Sequence, residues 1–287
     1  MPDPNSIINF GDLSKPANTL IEKISDAVGG VMKPWQIKRV TKAEAESEKI
    51  KALSKIEITE LEQRAFKRFL GEEEQKQKNI ESIAAQSLPL LLEEAKPENM
   101  EKDWITNFFD KCRLVSDEEM QKAWAKILAG EANAPGTFSK RTINFMASLD
   151  KQDAVLFTKL CGFNWIISGV YPLIYDLKAK IYTNNGITFG VLKHLDAIGL
   201  VSFENLAGYI RQGLPQTIIA IYKNTPYTLK FQKEKDNTLQ IGCVLLTIVG
   251  EELSTICASD TIAEFDEYII QEWGKEGIIV SPSTPLH

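Results

Sequence analysis

The chain has 287 residues, of which 44% are hydrophobic and 25% are charged, and its formal net charge is -6. This composition is that of an ordinary soluble globular protein, and the length suffices for one large domain or two small ones. The acidic balance excludes a general electrostatic attraction to nucleic acid, and no apolar run reaches the roughly 18 residues that a membrane-spanning helix needs.

The cysteine and histidine content argues against a metal site. The chain has four cysteines, which are Cys112, Cys161, Cys243 and Cys257. They stand far apart among apolar neighbours, so we expect reduced, buried thiols and neither a metal nor a cofactor. The N-terminal segment lacks the basic and apolar regions of a secretory signal. Both observations favour a cytoplasmic protein.

The first predicted helix is amphipathic. Ser14 and Pro16 suit an N-cap and a first turn, and Gly29 suits the end of the helix. The apolar residues of this helix form one stripe, which we expect to pack in the core or against a partner. The alternative is that the stripe binds a membrane surface, since an aromatic residue and cations follow the helix. The residues of this membrane or partner face are Leu20, Ile21, Ile24, Val28, Val31 and Trp35.

Residues 36–82 are densely charged, with eleven Lys/Arg and ten Asp/Glu. Such a balance is typical of an extended, solvated helix. Ile58, Leu61, Ala65 and Phe69 form only a partial apolar seam, which is too irregular for a coiled coil. We therefore predict a projecting helical arm within a first region, residues 1–99, that packs against a partner or another copy of the chain.

Residues 100–182 are predicted to form a compact helical bundle. Ser116 and Glu119 match a capping box at the start of one of its helices. The segment "KILAGEANAPGTFSKRT", residues 126–142, has the glycines and cations of a phosphate-binding loop, but a helix precedes it and Pro135 replaces the second glycine. We interpret it as a connection in which Gly130 ends one helix and Ser139 caps the next.

Residues 183–287 are predicted to form an α+β module. The order of a helix "LKHLDAIGLV", a strand, a β-ribbon and "LLTIVGEEL" resembles a winged helix-turn-helix, whose second helix can enter the DNA major groove. Residues 186–287 contain seven Lys/Arg against twelve Asp/Glu, whereas phosphate contacts need clustered cations. We expect a protein-binding or structural module, with DNA binding as the alternative. The cations available for that alternative are Lys193, Arg211, Lys223, Lys230, Lys233 and Lys235.

No catalytic constellation stands out in the sequence. There is no nucleophile elbow and no HExxH motif, and the acidic runs are typical of solvated helix surface. His194 lies at helical spacing among apolar residues, which favours a surface or packed histidine over a general base. The sequence therefore predicts no catalytic residues, although a site built from distant residues stays open.

The middle of the chain resembles a known family. The segments "EEMQKAWAKILAGEA", "PGTFS" and "NFMASLDKQDA" are similar to a bacterial family of unknown function, domain of unknown function twenty-eight-oh-six. More distantly, they resemble the Abi-alpha family, which is linked by name to abortive infection by phage. The resemblance implies a bacterial protein with a role in antiviral defence, and it brings no catalytic residues to this chain.

The predicted fold class is mainly α with a C-terminal α+β module: a long helical arm, a compact helical bundle and a winged-helix-like C-terminal domain. We predict a non-enzymatic bacterial interaction protein that acts through oligomerisation and partner recognition. The alternatives are nucleic-acid binding through the winged helix and association with an anionic membrane surface.

Overall fold

The structure, a computed structural model, describes residues 13–29 and 59–283. The chain is mainly helical with a C-terminal sheet region, and it divides into two compact units, Met1–Ala147 and Ser148–His287. The predicted boundaries after residues 99 and 182 do not coincide with this division. The N-terminal helices pack on the predicted bundle in unit 1, and the first strands of unit 2 precede residue 183.

Unit 1 is helical within the described residues. Its helices are α1 (Lys15–Val28), α2 (Glu60–Ser87), α3 (Lys102–Cys112), α4 (Glu118–Asn133) and α5 (Lys140–Met146), with short 3-10 turns at Leu88–Leu90 and Pro97–Asn99. Phe108 stands at the centre of the core, with its ring centroid 5.2 Å from that of Trp104 and 5.1 Å from that of Trp124. All three rings are buried, which fixes α3 against α4.

The predicted ends of α1 are confirmed. The Ser14 hydroxyl accepts a hydrogen bond from the Ala17 backbone N–H at 3.4 Å, and Gly29 ends the helix with φ of 88°. Leu20 and Ile24 are fully buried, and α1 packs on α3 and on the Pro97–Asn99 turn. The apolar stripe of this helix is thus part of the core of unit 1.

The described part of the charged region forms one continuous helix, α2 (Glu60–Ser87). It begins at a capping box that the sequence analysis missed: Thr59 Oγ1 accepts from the Glu62 N–H, and the Glu62 carboxylate accepts from the Thr59 N–H at 2.8 Å. The part of the arm that was predicted within residues 35–58 lies outside the described residues.

The predicted capping box at Ser116 and Glu119 is wrong. The N-cap of α4 is Asp117, whose carboxylate accepts from the backbone N–H groups of Glu119 and Met120 at 3.0 Å each. A carboxylate beside the positive end of the helix dipole is a strong cap. The Ser116 hydroxyl instead accepts from the amide of Asn79, on α2.

The glycine-rich loop after α4 binds a carboxylate of the chain itself. Glu131 is buried, and its two carboxylate oxygens accept from the backbone N–H groups of Gly136 at 2.7 Å and of Phe138 at 2.9 Å. Gly130 does not end the helix as predicted, because α4 continues to Asn133. Ser139 caps α5 through the Thr142 N–H, as predicted.

Unit 2 combines short helices with antiparallel strands. Its helices are α6 (Lys151–Cys161), α7 (Lys180–Thr183), α8 (Phe189–Ala197), α9 (Ile248–Ser254) and α10 (Phe265–Lys275). Its strands are β1 (Asn164–Ile166), β2 (Val170–Pro172), β3 (Val201–Phe203), β4 (Tyr209–Leu214), β5 (Thr217–Tyr222), β6 (Thr225–Lys230), β7 (Asn237–Gly242), β8 (Val244–Leu246) and β9 (Ile279–Pro282). The predicted helical bundle is thus wrong over β1 and β2.

The largest sheet of unit 2 has five strands in the order β2-β1-β5-β6-β9. Trp165, on β1, lies in its core, with its ring centroid 5.2 Å from that of Tyr222 and 5.0 Å from that of Trp273. All three rings are buried. Helix α10 is therefore held against this sheet by aromatic packing.

Two smaller strand pairs complete unit 2. Strand β3 pairs with β8, and β4 pairs with β7. Gly242, at φ of 86°, lies against the backbone of Ile174, where a Cβ atom would come within 2.3 Å of the Ile174 carbonyl oxygen. This close approach requires glycine, and it lets the Cys243 N–H donate to that same carbonyl at 2.8 Å.

The buried Glu131 carboxylate predicts a stability effect. We expect Glu131→Ala to lower the free energy of unfolding by about 2–3 kcal/mol, because two loop N–H groups lose a charged acceptor. The exposed Lys122→Ala, on the same helix, should change it by less than about 0.5 kcal/mol. Urea unfolding followed by circular dichroism measures both, and an equal effect of the two substitutions would contradict the role of Glu131.

Two helical glycines should respond oppositely to substitution by alanine. At Gly71, in α2, a Cβ atom would meet open space, so Gly71→Ala should stabilise the protein by up to about 1 kcal/mol. At Gly130, a Cβ atom would lie 2.7 Å from the buried Phe138 ring, so Gly130→Ala should destabilise it by about 1–2 kcal/mol. Urea unfolding measures both variants, and a change of the same sign in the two free energies of unfolding would contradict the packing described for these glycines.

Candidate functional site

A buried polar network holds α2 where the helix leaves the body of unit 1. The Asn79 amide donates to the Arg113 carbonyl at 2.8 Å, and the Gln121 amide donates to the Val115 carbonyl at 2.8 Å. The two side chains also meet each other, at 3.3 Å from Gln121 Nε2 to Asn79 Oδ1. Both are buried, and unpaired amides would be costly there. The network therefore fixes the position of α2 along α4.

The N-terminal half of α2 is an exposed arm, which we define as residues 60–75. Apart from the half-buried Leu70, all of its residues are exposed, over a length of about 24 Å. Two neighbouring i, i+4 rows carry apolar side chains, one with Leu61, Ala65 and Phe69 and one with Phe66 and Leu70. Leu61 is 68% exposed and Phe69 is 56% exposed. This exposed apolar face is a candidate interaction surface.

The charges of the arm stabilise it as a solvated helix and divide it into blocks. Ion pairs at i, i+4 spacing join Arg64 to Glu60 and Arg68 to Glu72, at 3.7 and 3.5 Å. A positive block, which we define as Arg64, Lys67 and Arg68, precedes a negative block, Glu72 to Glu74. The arm thus presents adjacent surfaces of opposite sign beside its apolar rows.

A groove of about 480 Å³ opens in unit 1 at the foot of the arm. Apolar side chains from α1, α2 and α3, those of Val28, Ile80 and Phe109, contribute to its lining. Lys76 and Gln77 of α2 line it from the arm side. An apolar side chain of a partner that lies along the arm could therefore enter unit 1 here.

The predicted membrane or partner face on α1 separates into two groups. Leu20 and Ile24 are buried, while Ile21 and Val28 are half-buried, so the stripe packs largely as a core face. Val31 and Trp35 lie outside the described residues. Among the described residues, no helix has the combination of length and apolar content that crossing a bilayer requires.

The exposed polar groups of α8 are paired within unit 2. Lys193 donates to the Asp196 carboxylate at 2.8 Å, and its Nζ also lies 5.9 Å from the centre of the Phe203 ring. His194 Nε2 lies 2.6 Å from the Asp153 carboxylate, which joins α8 to α6. The rest of the exposed face includes Phe189. This helix therefore offers an aromatic ring and paired charges rather than free cations.

The remaining candidate cations fall into two groups. Arg211 donates to the Ile167 carbonyl and stacks near the Tyr171 ring, and Lys223 donates to the Ser259 carbonyl and hydroxyl at 3.0 and 2.8 Å. Both are thus used inside unit 2. The three other lysines are exposed near the connection between β6 and β7, and they are Lys230, Lys233 and Lys235. Glu234 and Asp236 alternate with them, which lowers the local positive charge.

A polar cleft of about 980 Å³ in unit 2 was not foreseen from the sequence. Its lining combines the cations Lys159 and Lys180 with the carboxylates of Asp260, Glu264 and Glu267. Glu264 adopts φ of 60°, a left-handed conformation that is costly for a residue other than glycine. Among the described residues, no three histidine, cysteine or acidic side chains are close enough to hold a metal ion.

Comparison with known proteins identifies one family. A family model described as "Protein of unknown function (DUF2806)" matches residues 63–270, more than two thirds of the chain. The first resemblance noted in the sequence is therefore confirmed, while the likeness to the Abi-alpha family stays a prediction. No curated protein and no solved structure matches the chain.

The two apolar stripes of unit 1 should differ in their contribution to stability. Ile24→Ala, in the buried stripe of α1, should lower the free energy of unfolding by about 2–5 kcal/mol, because it leaves a cavity. Phe69→Ala, on the exposed arm, should change it by less than about 0.5 kcal/mol at low protein concentration. Chemical denaturation of both variants tests this difference.

Binding of the α1 stripe to a membrane would give a result that burial in the core does not. If the stripe enters an anionic bilayer, the wild-type protein co-sediments with anionic liposomes and Ile24→Asp abolishes the co-sedimentation. We expect the wild-type protein to stay in the supernatant, since Leu20 and Ile24 are occupied in the core.

Proposed function

We propose a function for a chain that belongs to the DUF2806 family of proteins of unknown function: it is an interaction protein that assembles through its helical arm. The observation that carries the proposal is the exposed apolar surface of Leu61, Phe66 and Phe69 on an arm whose other side chains are mostly polar. The anti-phage role implied by the distant resemblance stays a prediction.

We infer that the partner on this surface is a second copy of the chain. The blocks of the arm support this inference, because an antiparallel pairing centred on Phe69 and Leu70 brings each positive block against the negative block of the other copy. Phe69 of the two copies then lies at the crossing point, where the neighbouring Gly71 leaves space. Complementary charge of this kind favours one pairing over others.

The groove at the foot of the arm supports the same pairing. With the centre near Phe69, Leu61 of one copy lies level with Gln77 and Lys78 of the other, beside the groove. Contact of this leucine with the apolar part of the groove, which includes Val28, Ile80 and Phe109, contributes at most about 1.5–3 kcal/mol. The groove, the two blocks and the apolar rows therefore agree with a symmetric dimer in which the same surface is used twice.

The assembly is tested by molecular mass in solution. Size-exclusion chromatography with light scattering should give twice the chain mass at tens of micromolar wild-type protein. Leu61→Glu with Phe69→Glu should give the mass of one chain, with an unchanged circular dichroism spectrum, since both side chains are exposed. Leu206→Glu, at a residue that is 94% exposed in unit 2, is the matched control and should remain dimeric. A monomeric wild-type protein would contradict the proposal.

Charge reversal tests the pairing itself. One variant reverses the positive block to glutamate, and a second reverses the negative block to lysine. Each variant alone places like charges together and should be monomeric, whereas an equimolar mixture restores opposite charges and should form a heterodimer. The failure of the mixture to associate, with both variants folded, would rule out the block pairing.

A second candidate function, nucleic-acid binding, is favoured by the element order of unit 2. A short turn joins α7 to α8, Thr188 caps α8, and the antiparallel pair β3 and β8 follows, with β4 to β7 between them. We infer a winged-helix plan with a long wing from this order. The pairing of Lys193, the single lysine of α8, with Asp196 favours a protein-binding role for this module over a DNA-binding one.

Fluorescence anisotropy with labelled duplex DNA distinguishes the two functions. We expect no salt-sensitive binding at low ionic strength, because Lys193, Arg211 and Lys223 are engaged within unit 2. Binding that weakens with salt would instead favour the second candidate. Its loss when Lys230, Lys233 and Lys235 are replaced by alanine would locate that binding on the wing.

A further inference from the structure

The fold brings together two cysteines that stand 96 positions apart in the sequence. Cys161 ends α6, and Cys257 follows α9. Thr158, one helical turn before Cys161, donates its hydroxyl to the Cys257 sulfur at 3.7 Å, which places the two cysteines side by side. The Tyr222 hydroxyl connects the same two segments, since it donates to the Gly162 carbonyl at 3.0 Å and accepts from the Ile262 N–H at 3.0 Å. These contacts hold together the two segments that carry the thiols.

The surroundings distinguish the two sulfur atoms. The Cys257 sulfur accepts from the Thr158 hydroxyl at 3.7 Å, and the Cys257 thiol donates to the Leu253 carbonyl at 3.4 Å. A donor at a sulfur stabilises its thiolate form, whereas a carbonyl acceptor stabilises the thiol. The hydrogen bond to Cys257, together with burial, raises the pKa of the Cys161 thiol well above its usual range. Cys161 therefore keeps its proton more firmly than a free thiol does, and the order in which the two sulfurs react depends on their access to the oxidant.

Cys257 is also more accessible to solvent than Cys161. Cys257 is half-buried, whereas Cys161 is only 3% exposed. The residues directly after Cys257, Ala258 to Asp260, line the polar cleft of unit 2. A small polar oxidant therefore reaches Cys257 before Cys161.

We propose that Cys161 and Cys257 form a reversible redox pair, in which a hydroperoxide oxidises Cys257 and Cys161 resolves the product as an intramolecular disulfide. In the first step, the Cys257 thiolate attacks one peroxide oxygen. The sulfur–oxygen bond forms, the oxygen–oxygen bond breaks, and the leaving oxygen departs as water or an alcohol after protonation, which leaves a sulfenic acid.

In the second step, the Cys161 sulfur attacks the sulfur of the Cys257 sulfenic acid. The disulfide forms, the sulfur–oxygen bond breaks, and the hydroxide leaves as water with the proton from Cys161. The two thiols lose two electrons, which reduce the peroxide. Formation of the disulfide brings the two sulfurs to about 2.05 Å. A dithiol reductant reverses the reaction by thiol–disulfide exchange.

Lys223 is a positioning residue for the second step. Its ammonium group is held by the carbonyl and hydroxyl of Ser259, two residues after Cys257, and its positive charge acts on Cys161. A nearby cation favours the thiolate that Cys161 must become as it attacks. Lys223, a candidate nucleic-acid contact in the sequence, is thus held within unit 2 near the thiol pair.

The experiment counts thiols in the full-length protein. A thiol titration under denaturing conditions should find four thiols in the reduced protein and, after hydrogen peroxide, a loss of two, with a disulfide between the Cys161 and Cys257 peptides. Cys243→Ala is the matched control: it should start with three and also lose two. In Cys161→Ala, dimedone should trap Cys257 as the sulfenic acid.

Two further variants separate the steps. Cys257→Ser, at the half-buried position, should retain its three remaining thiols under the same peroxide treatment. Lys223→Gln should form the sulfenic acid at the wild-type rate but the disulfide several-fold more slowly, with an unchanged circular dichroism spectrum. Four thiols in peroxide-treated wild-type protein, an intermolecular link, or an undiminished thiol loss in Cys257→Ser would overturn the proposal.

Discussion

The Asn79–Gln121 network is the interaction on which the arrangement of unit 1 depends. It buries two amides between α2 and α4, and each amide finds partners that water would otherwise supply. Within α2, residues 80–87 contribute to the core, while residues 60–75 lie in solvent apart from the half-buried Leu70. A helix that is fixed by satisfied hydrogen bonds at one point keeps a definite direction over its adjoining exposed turns. The arm is therefore a preorganised surface, and a partner that binds it does not have to order it.

The glycine-rich loop shows why a motif needs its structural context. The backbone N–H groups of such a loop do bind an anion in this chain, but the anion is the carboxylate of Glu131 in the preceding helix. A buried charge is stable when it is well paired, and here the pairing closes the loop onto α4. The space that a phosphate would need is thus filled by the protein, in agreement with the failed P-loop spacing.

Short sequence patterns were sufficient to predict helices and strands whose ends depend on residues that are close in the sequence. Ser14 and Gly29 predicted the ends of α1, and the β-branched run 217–222 coincides with β5. The apolar run after Cys161 is compatible with a buried helix, and its pairing with the adjacent β2 and with the distant β5 makes it β1. The contact of Cys161 with Cys257 and the polar cleft depend in the same way on residues far apart in the chain. Periodicity carries no information on such contacts.

The charge of a functional surface depends on pairing as well as on composition. Unit 2 has few cations, and several of them have internal partners: Lys193 joins Asp196, Arg211 joins the Ile167 carbonyl, and Lys223 joins Ser259. A side chain held in this way must break its hydrogen bonds before it can neutralise a phosphate, so its contribution to nucleic-acid affinity is reduced by that cost. The same hydrogen bonds keep these cations within unit 2, and they hold Lys223 near the thiol pair. Internal use of these three cations therefore lowers the positive charge that unit 2 presents to a phosphate backbone.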